Sequence, residues 1–119
     1  MRSAVACVAL LALATLAPAA QTPSVRGEVV DLACHLEKGP GGRGEAHAAC
    51  AMACARKGNQ MAILADDAVY VVAGDYTANG NAKLLDFVAK RVEAKGQVTE
   101  KDGTRVINVT SMGLLKDPD

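Results

Sequence analysis

The first twenty residues decide how much of this 119-residue chain is left to fold. Arg2 is the only charged residue before Arg26, and an apolar run from Ala4 to Ala14, continued by Thr15-Leu16, follows it. A positive start, a short apolar stretch and the small residues of Ala17-Pro18-Ala19 have the form of a secretory signal peptide, cut after Ala19 or Ala20. A membrane anchor would want roughly 20 apolar residues, more than this run supplies. The run does not end in a Cys, as a lipoprotein signal would, and it lacks a twin-Arg pair. No later stretch reads as a membrane span. The expectation is a signal peptide over 1–20 and a single domain over 21–119, periplasmic or secreted.

Export bears on both charge and thiols. Without Arg2 the domain carries 12 basic residues against 13 acidic ones. That balance argues against nucleic acid, whose binders present a basic surface. The aromatics are Tyr70, Tyr76 and Phe87 alone, too few for the stacking platforms of single-strand binders. Aliphatic side chains must therefore fill the core, and a core this small gains from a staple. Cys7 leaves with the signal, so Cys34, Cys50 and Cys54 enter an oxidising space where thiols tend to pair. Three is odd, which calls for a free thiol, an intermolecular bond or a metal.

Val-rich residues 25–33 read as a first strand. Gly39-Pro40-Gly41-Gly42-Arg43-Gly44 reads as a flexible loop. Residues 45–57, rich in Ala, form the best helix candidate, with Glu45 at its start, Arg56 and Lys57 at its end and Gly58 as cap. Residues 61–65 and 68–73 read as strands joined at Asp66-Asp67, a turn rather than an acid–base pair. Leu84, Leu85 and Val88 share one face of a short helix over 81–89. Val92, Ala94, Gly96 and Val98 alternate with polar residues, and Asp102-Gly103 turns that strand into the next, 104–110, with a loose tail from Leu114.

The expected chain is mostly β with two short helices. Five strands with a helix between the third and fourth follow the order of an OB-fold barrel. The passage Phe87-Val88-Ala89-Lys90-Arg91-Val92-Glu93-Ala94-Lys95-Gly96-Gln97-Val98 resembles the helix-to-fourth-strand passage of small secreted bacterial OB-fold proteins. The opening Gly27-Glu28-Val29-Val30-Asp31 and the Asp102-Gly103 hairpin fit the same pattern. The resemblance implies an OB-like five-stranded barrel; it implies little about activity, because the fold hosts many functions. A small α+β sandwich is the alternative. The Cys/His helix between strands 1 and 2 departs from the usual plain connection, so chemistry is sought there.

On a regular helix His47, Cys50 and Cys54 fall within roughly 60° of one another. Cys34 ends the first strand, and the glycine loop is long enough to bring it to that face. A Cys₃His shell of Cys34, His47, Cys50 and Cys54 suits zinc, and thiolates also suit copper(I). His35, Met52 and Met61 are spare donors, with Met52 off the shared face. The competing reading bonds Cys34 to Cys50 or Cys54 and makes the domain a disulfide-stapled structural or interaction module that binds an envelope protein through a face of the barrel. Cys50 and Cys54 are poorly placed to bond each other within one helix.

Motifs for other chemistries are missing. The sequence has no Cys-x-x-Cys redox pair, no haem attachment motif, no phosphate loop at the required spacing and no Gly-x-Ser-x-Gly. A Cys–His hydrolase lacks a third orienting group. Asn108-Val109-Thr110 has the form of a glycosylation acceptor but falls in a strand. No residue is assigned a catalytic role, and the reading leans away from an enzyme.

Overall fold

The structure, a computed structural model, describes residues 22–116. The expected signal peptide lies outside the described residues. Among them no helix is long and apolar enough to cross a membrane.

Five strands carry the molecule: β1 Ser24–Asp31, β2 Met61–Leu64, β3 Val69–Ala73, β4 Arg91–Lys101 and β5 Thr104–Leu114. They close on themselves in the order β1-β2-β3-β5-β4. All neighbours are antiparallel except β3 and β5, which run parallel with Val71 opposite Val106. Parallel neighbours cannot be joined by a tight turn, so the chain from β3 crosses the end of the sheet before returning as β4. Closure gives every strand a neighbour on both sides over part of its length.

The alternation read in β4 is observed. Val92, Ala94 and Gly96 face inward while Arg91, Lys95 and Gln97 face water. Val29, Met61, Ile63, Val92, Ile107 and Val109 meet in an aliphatic core. Two glycines permit the tight curvature. A Cβ at Gly27 would collide with the Leu64 carbonyl, and one at Gly96 with the Asn108 carbonyl. Gly96 also stands at a register shift between β4 and β5, the kind of irregularity that bends a strand. Asp102 and Gly103 both take positive φ, as a two-residue hairpin turn demands. Tyr70 and Arg105 donate to the Asp67 carboxylate, so that residue serves the β2–β3 turn.

The helical parts depart from expectation. The chain leaves β1 at Asp31 and enters a helix, α1 (Leu32–Lys38), where strand was expected to residue 33. The glycine-rich stretch is a short 3-10 turn over Gly39–Gly42, not a loose loop, and it packs so closely on α1 that a Cβ at Gly42 would lie 2.6 Å from the Cys34 carbonyl oxygen. The Ala-rich helix, α2, spans Ala48–Arg56, preceded by a 3-10 turn at Glu45–His47. The helix expected over 81–89 is a string of short turns, including a third short helix, α3, at Ala78–Asn81. Positive φ at Asn79, Gly80, Asn81 and Ala89 breaks any continuous helix there. Leu84 and Val88 still reach the core. Leu114, where a loose tail was expected to begin, pairs with Val92 as the last residue of β5, and the Leu115 N–H donates to the Arg91 carbonyl.

Candidate metal centre

α1 and α2 lie between β1 and β2 in sequence, and each contributes to one cluster. Cys50 and Cys54 are one turn apart on α2, so both side chains project from the same side. Ala51 and Ala55 on the same helix are buried in the core and fix its position. The buried Asn81 clamps the helix end, its side-chain amide donating to the carbonyls of Ala55 and Asn59, both at 2.9 Å. Cys34 comes from α1. The sulfurs of Cys34, Cys50 and Cys54 all lie within 4.8 Å of one another.

All three cysteines are free. The pairing of Cys34 with Cys50 or Cys54 considered from the sequence is therefore absent among the described residues. Cys50 is exposed, whereas Cys34 and Cys54 are partly covered. The cluster thus has one corner open to water.

His47 does not belong to the sulfur group. It lies in the 3-10 turn ahead of α2, where the chain advances about 120° per residue instead of 100°. That turn shifts His47 from the face a regular helix would give it. The residue is buried, and its Nε2 has no hydrogen-bond partner. His35 Nδ1 is likewise buried without a partner. Met61 is wholly inside the core and Met52 packs against it, so both spare thioethers serve packing.

Asp31 is the residue that sequence reasoning missed. It ends β1 opposite Met61 and is only 1% exposed. Its Oδ1 accepts from the backbone N–H of Ala33 at 3.0 Å, capping α1. Its Oδ2 accepts from the Cys34 thiol at 3.5 Å, and the carboxylate also acts on the Cys54 thiol. The signal that would have found it is an Asp just before a short helix, three residues ahead of a Cys.

This carboxylate sets the protonation of the cluster. Burial pushes Asp31 up, but hydrogen bonds from Cys54, Cys34 and the backbone of Ala33 and Cys34 together hold it below its usual 3.8. Burial first, then the bond to Asp31 and its negative charge, push Cys34 above the usual 9.0. The bond to Asp31, reinforced by burial and charge, pushes Cys54 up to about 12. Two of the three thiols are therefore held protonated beside an anion. Among the described residues no lysine or arginine pairs with Asp31; the ion pairs are Arg26–Glu93 and Arg105–Asp67. A cation placed among these groups would displace the thiol protons and meet a ready set of soft donors. No protein-family model matches the sequence, and no curated protein or solved structure matches it either.

Proposed function

We propose that this chain is an exported, OB-like domain that binds a soft transition metal, zinc or copper, for buffering or delivery. The observation that carries the reading is three free sulfurs from two separate helices within 4.8 Å of one another. Thiolates are the donors that zinc and copper(I) favour. The strand order, with β3 parallel to β5, supports the OB reading. Export rests on the form of residues 1–20. In an oxidising compartment a bound ion would protect reduced thiols, which links the address to the chemistry.

The test is native mass spectrometry of the reduced domain after loading with zinc or copper(I), with and without a chelator. One ion per chain, removed by chelator and missing from the variant with Cys34, Cys50 and Cys54 all changed to Ser, is the expected result. Failure of the reduced wild type to take up either metal would falsify the proposal.

A further inference from the structure

We infer that Asp31 supplies the fourth donor of this centre, an oxygen, and that the site is thereby built for a divalent ion, zinc, rather than copper(I). The inference rests on the metal-binding reading above. Three sulfurs leave a tetrahedral ion one position short. Asp31 stands beside the group, with its Oδ2 against the Cys34 sulfur. Zinc–sulfur bonds of about 2.3 Å and zinc–oxygen bonds of 2.0–2.2 Å set at tetrahedral angles separate S and O by about 3.6 Å. The observed separation of Asp31 Oδ2 and Cys34 Sγ is 3.5 Å. Asp31 thus borders the Cys34 sulfur directly.

Asp31 does not join the group whose donor atoms are all mutually within 4.8 Å. Cys50 is the exposed corner, and a turn of its side chain toward Asp31 is what closing the tetrahedron requires. Capping of α1 uses Oδ1, which leaves Oδ2 for the ion. The carboxylate is thus held in place by the helix it caps before any metal arrives.

Charge favours the same ion. Three thiolates and one carboxylate around a divalent ion carry a net charge of minus two, the same as a four-thiolate zinc shell. Around copper(I) they carry minus three, and an additional negative charge in a partly covered site is costly. Copper(I) is satisfied by two or three soft sulfurs and gains little from a carboxylate oxygen.

X-ray absorption at the zinc edge, on wild type and on Asp31→Cys, tests the assignment. Wild type should show three sulfurs and one light donor, without the scattering signature of an imidazole ring. Asp31→Cys should hand the ion a fourth sulfur. A carboxylate acting only through the other ligands would leave the count at three. Asp31→Asn, which keeps the helix cap, should weaken zinc at least tenfold in a chelator competition and leave copper(I) binding less affected. Three sulfurs in Asp31→Cys, an imidazole signature in wild type, or unchanged zinc affinity in Asp31→Asn would overturn the inference while leaving the three-sulfur site intact. A wild type that takes up no zinc or cobalt would instead remove the metal reading itself, and the assignment with it.

Discussion

The closed sheet and the helical insertion between β1 and β2 solve their folding problems differently. The sheet satisfies itself. Its inward side chains are apolar, its backbone groups pair strand to strand, and β4 and β5 stay in register over most of their length. The insertion leaves polar groups in company that they do not choose when alone. Where it joins the sheet, Asp31 at the end of β1 lies buried with no lysine or arginine paired to it among the described residues, two thiols are held protonated against it, and His35 and His47 each have a buried ring nitrogen without a partner. Buried polar atoms are costly unless satisfied. The difference separates a scaffold that stands alone from a corner that a cation would complete.

That division can be broken first at the sheet. Ile107 is fully buried, so Ile107→Ala should cost about 2–5 kcal/mol. Urea unfolding should show the same loss with and without zinc. A loss that zinc removes would mean that the sheet depends on the insertion. Metal should stabilise from the other side. At a free concentration 1,000 times Kd, binding to the native state alone adds about 4 kcal/mol. Thermal unfolding of wild type should shift upward by that amount, and unfolding of Cys54→Ser by much less.

Asn81 tests the joint between the two regions. Asn81→Ala strips the donors from the Ala55 and Asn59 carbonyls and should cost about 1–3 kcal/mol. It should also weaken zinc, because α2 then loses the clamp on its end. Unchanged zinc affinity would show that the helix holds the sulfurs unaided.

The smallest effect is on pH dependence, in the reduced, metal-free protein. The folded state keeps the Cys34 and Cys54 protons above the usual 9.0, whereas the unfolded chain releases them. The unfolded state then binds fewer protons, so stability falls as pH rises from about 9 toward 12. At the acid end Asp31 acts in the opposite sense. Its contribution is whole above 3.8 and is lost as pH falls through its lower folded value. Asp31→Asn should flatten both limbs in unfolding curves taken across pH. An alkaline limb that stays as steep in this variant would show that Asp31 is not what holds the thiols protonated.

The sheet was legible in the sequence because strand period and turn chemistry are local signals. Val92, Ala94 and Gly96 alternate with polar neighbours, and Asp102-Gly103 names its own turn. The cysteine cluster was legible in part. Helical spacing grouped Cys50 with Cys54, and Cys34 does reach them, through a tight turn instead of the flexible loop expected; His47, grouped by the same spacing, does not join them. The helix carrying Cys34 was not legible, since Leu32–Lys38 is too short to show a period after a run of strand-forming residues. Asp31 was hidden for the same reason, as the last residue of a strand and the cap of an unseen helix. The turns after β3 were misread because Leu84, Leu85 and Val88 mimic a helical face. Positive φ at Asn79, Gly80 and Asn81 is a property of backbone conformation that such a pattern does not carry.

The proposed binding makes Cys34, Cys50 and Cys54 one site. Its most direct test is alkylation of the reduced domain after one equivalent of zinc, read by mass. Three thiols protected together by one ion, and all three released together on chelation, are the expected result. Any of the three reacting at its metal-free rate while zinc stays bound, or protection that proves to be a disulfide between two of them, would contradict it.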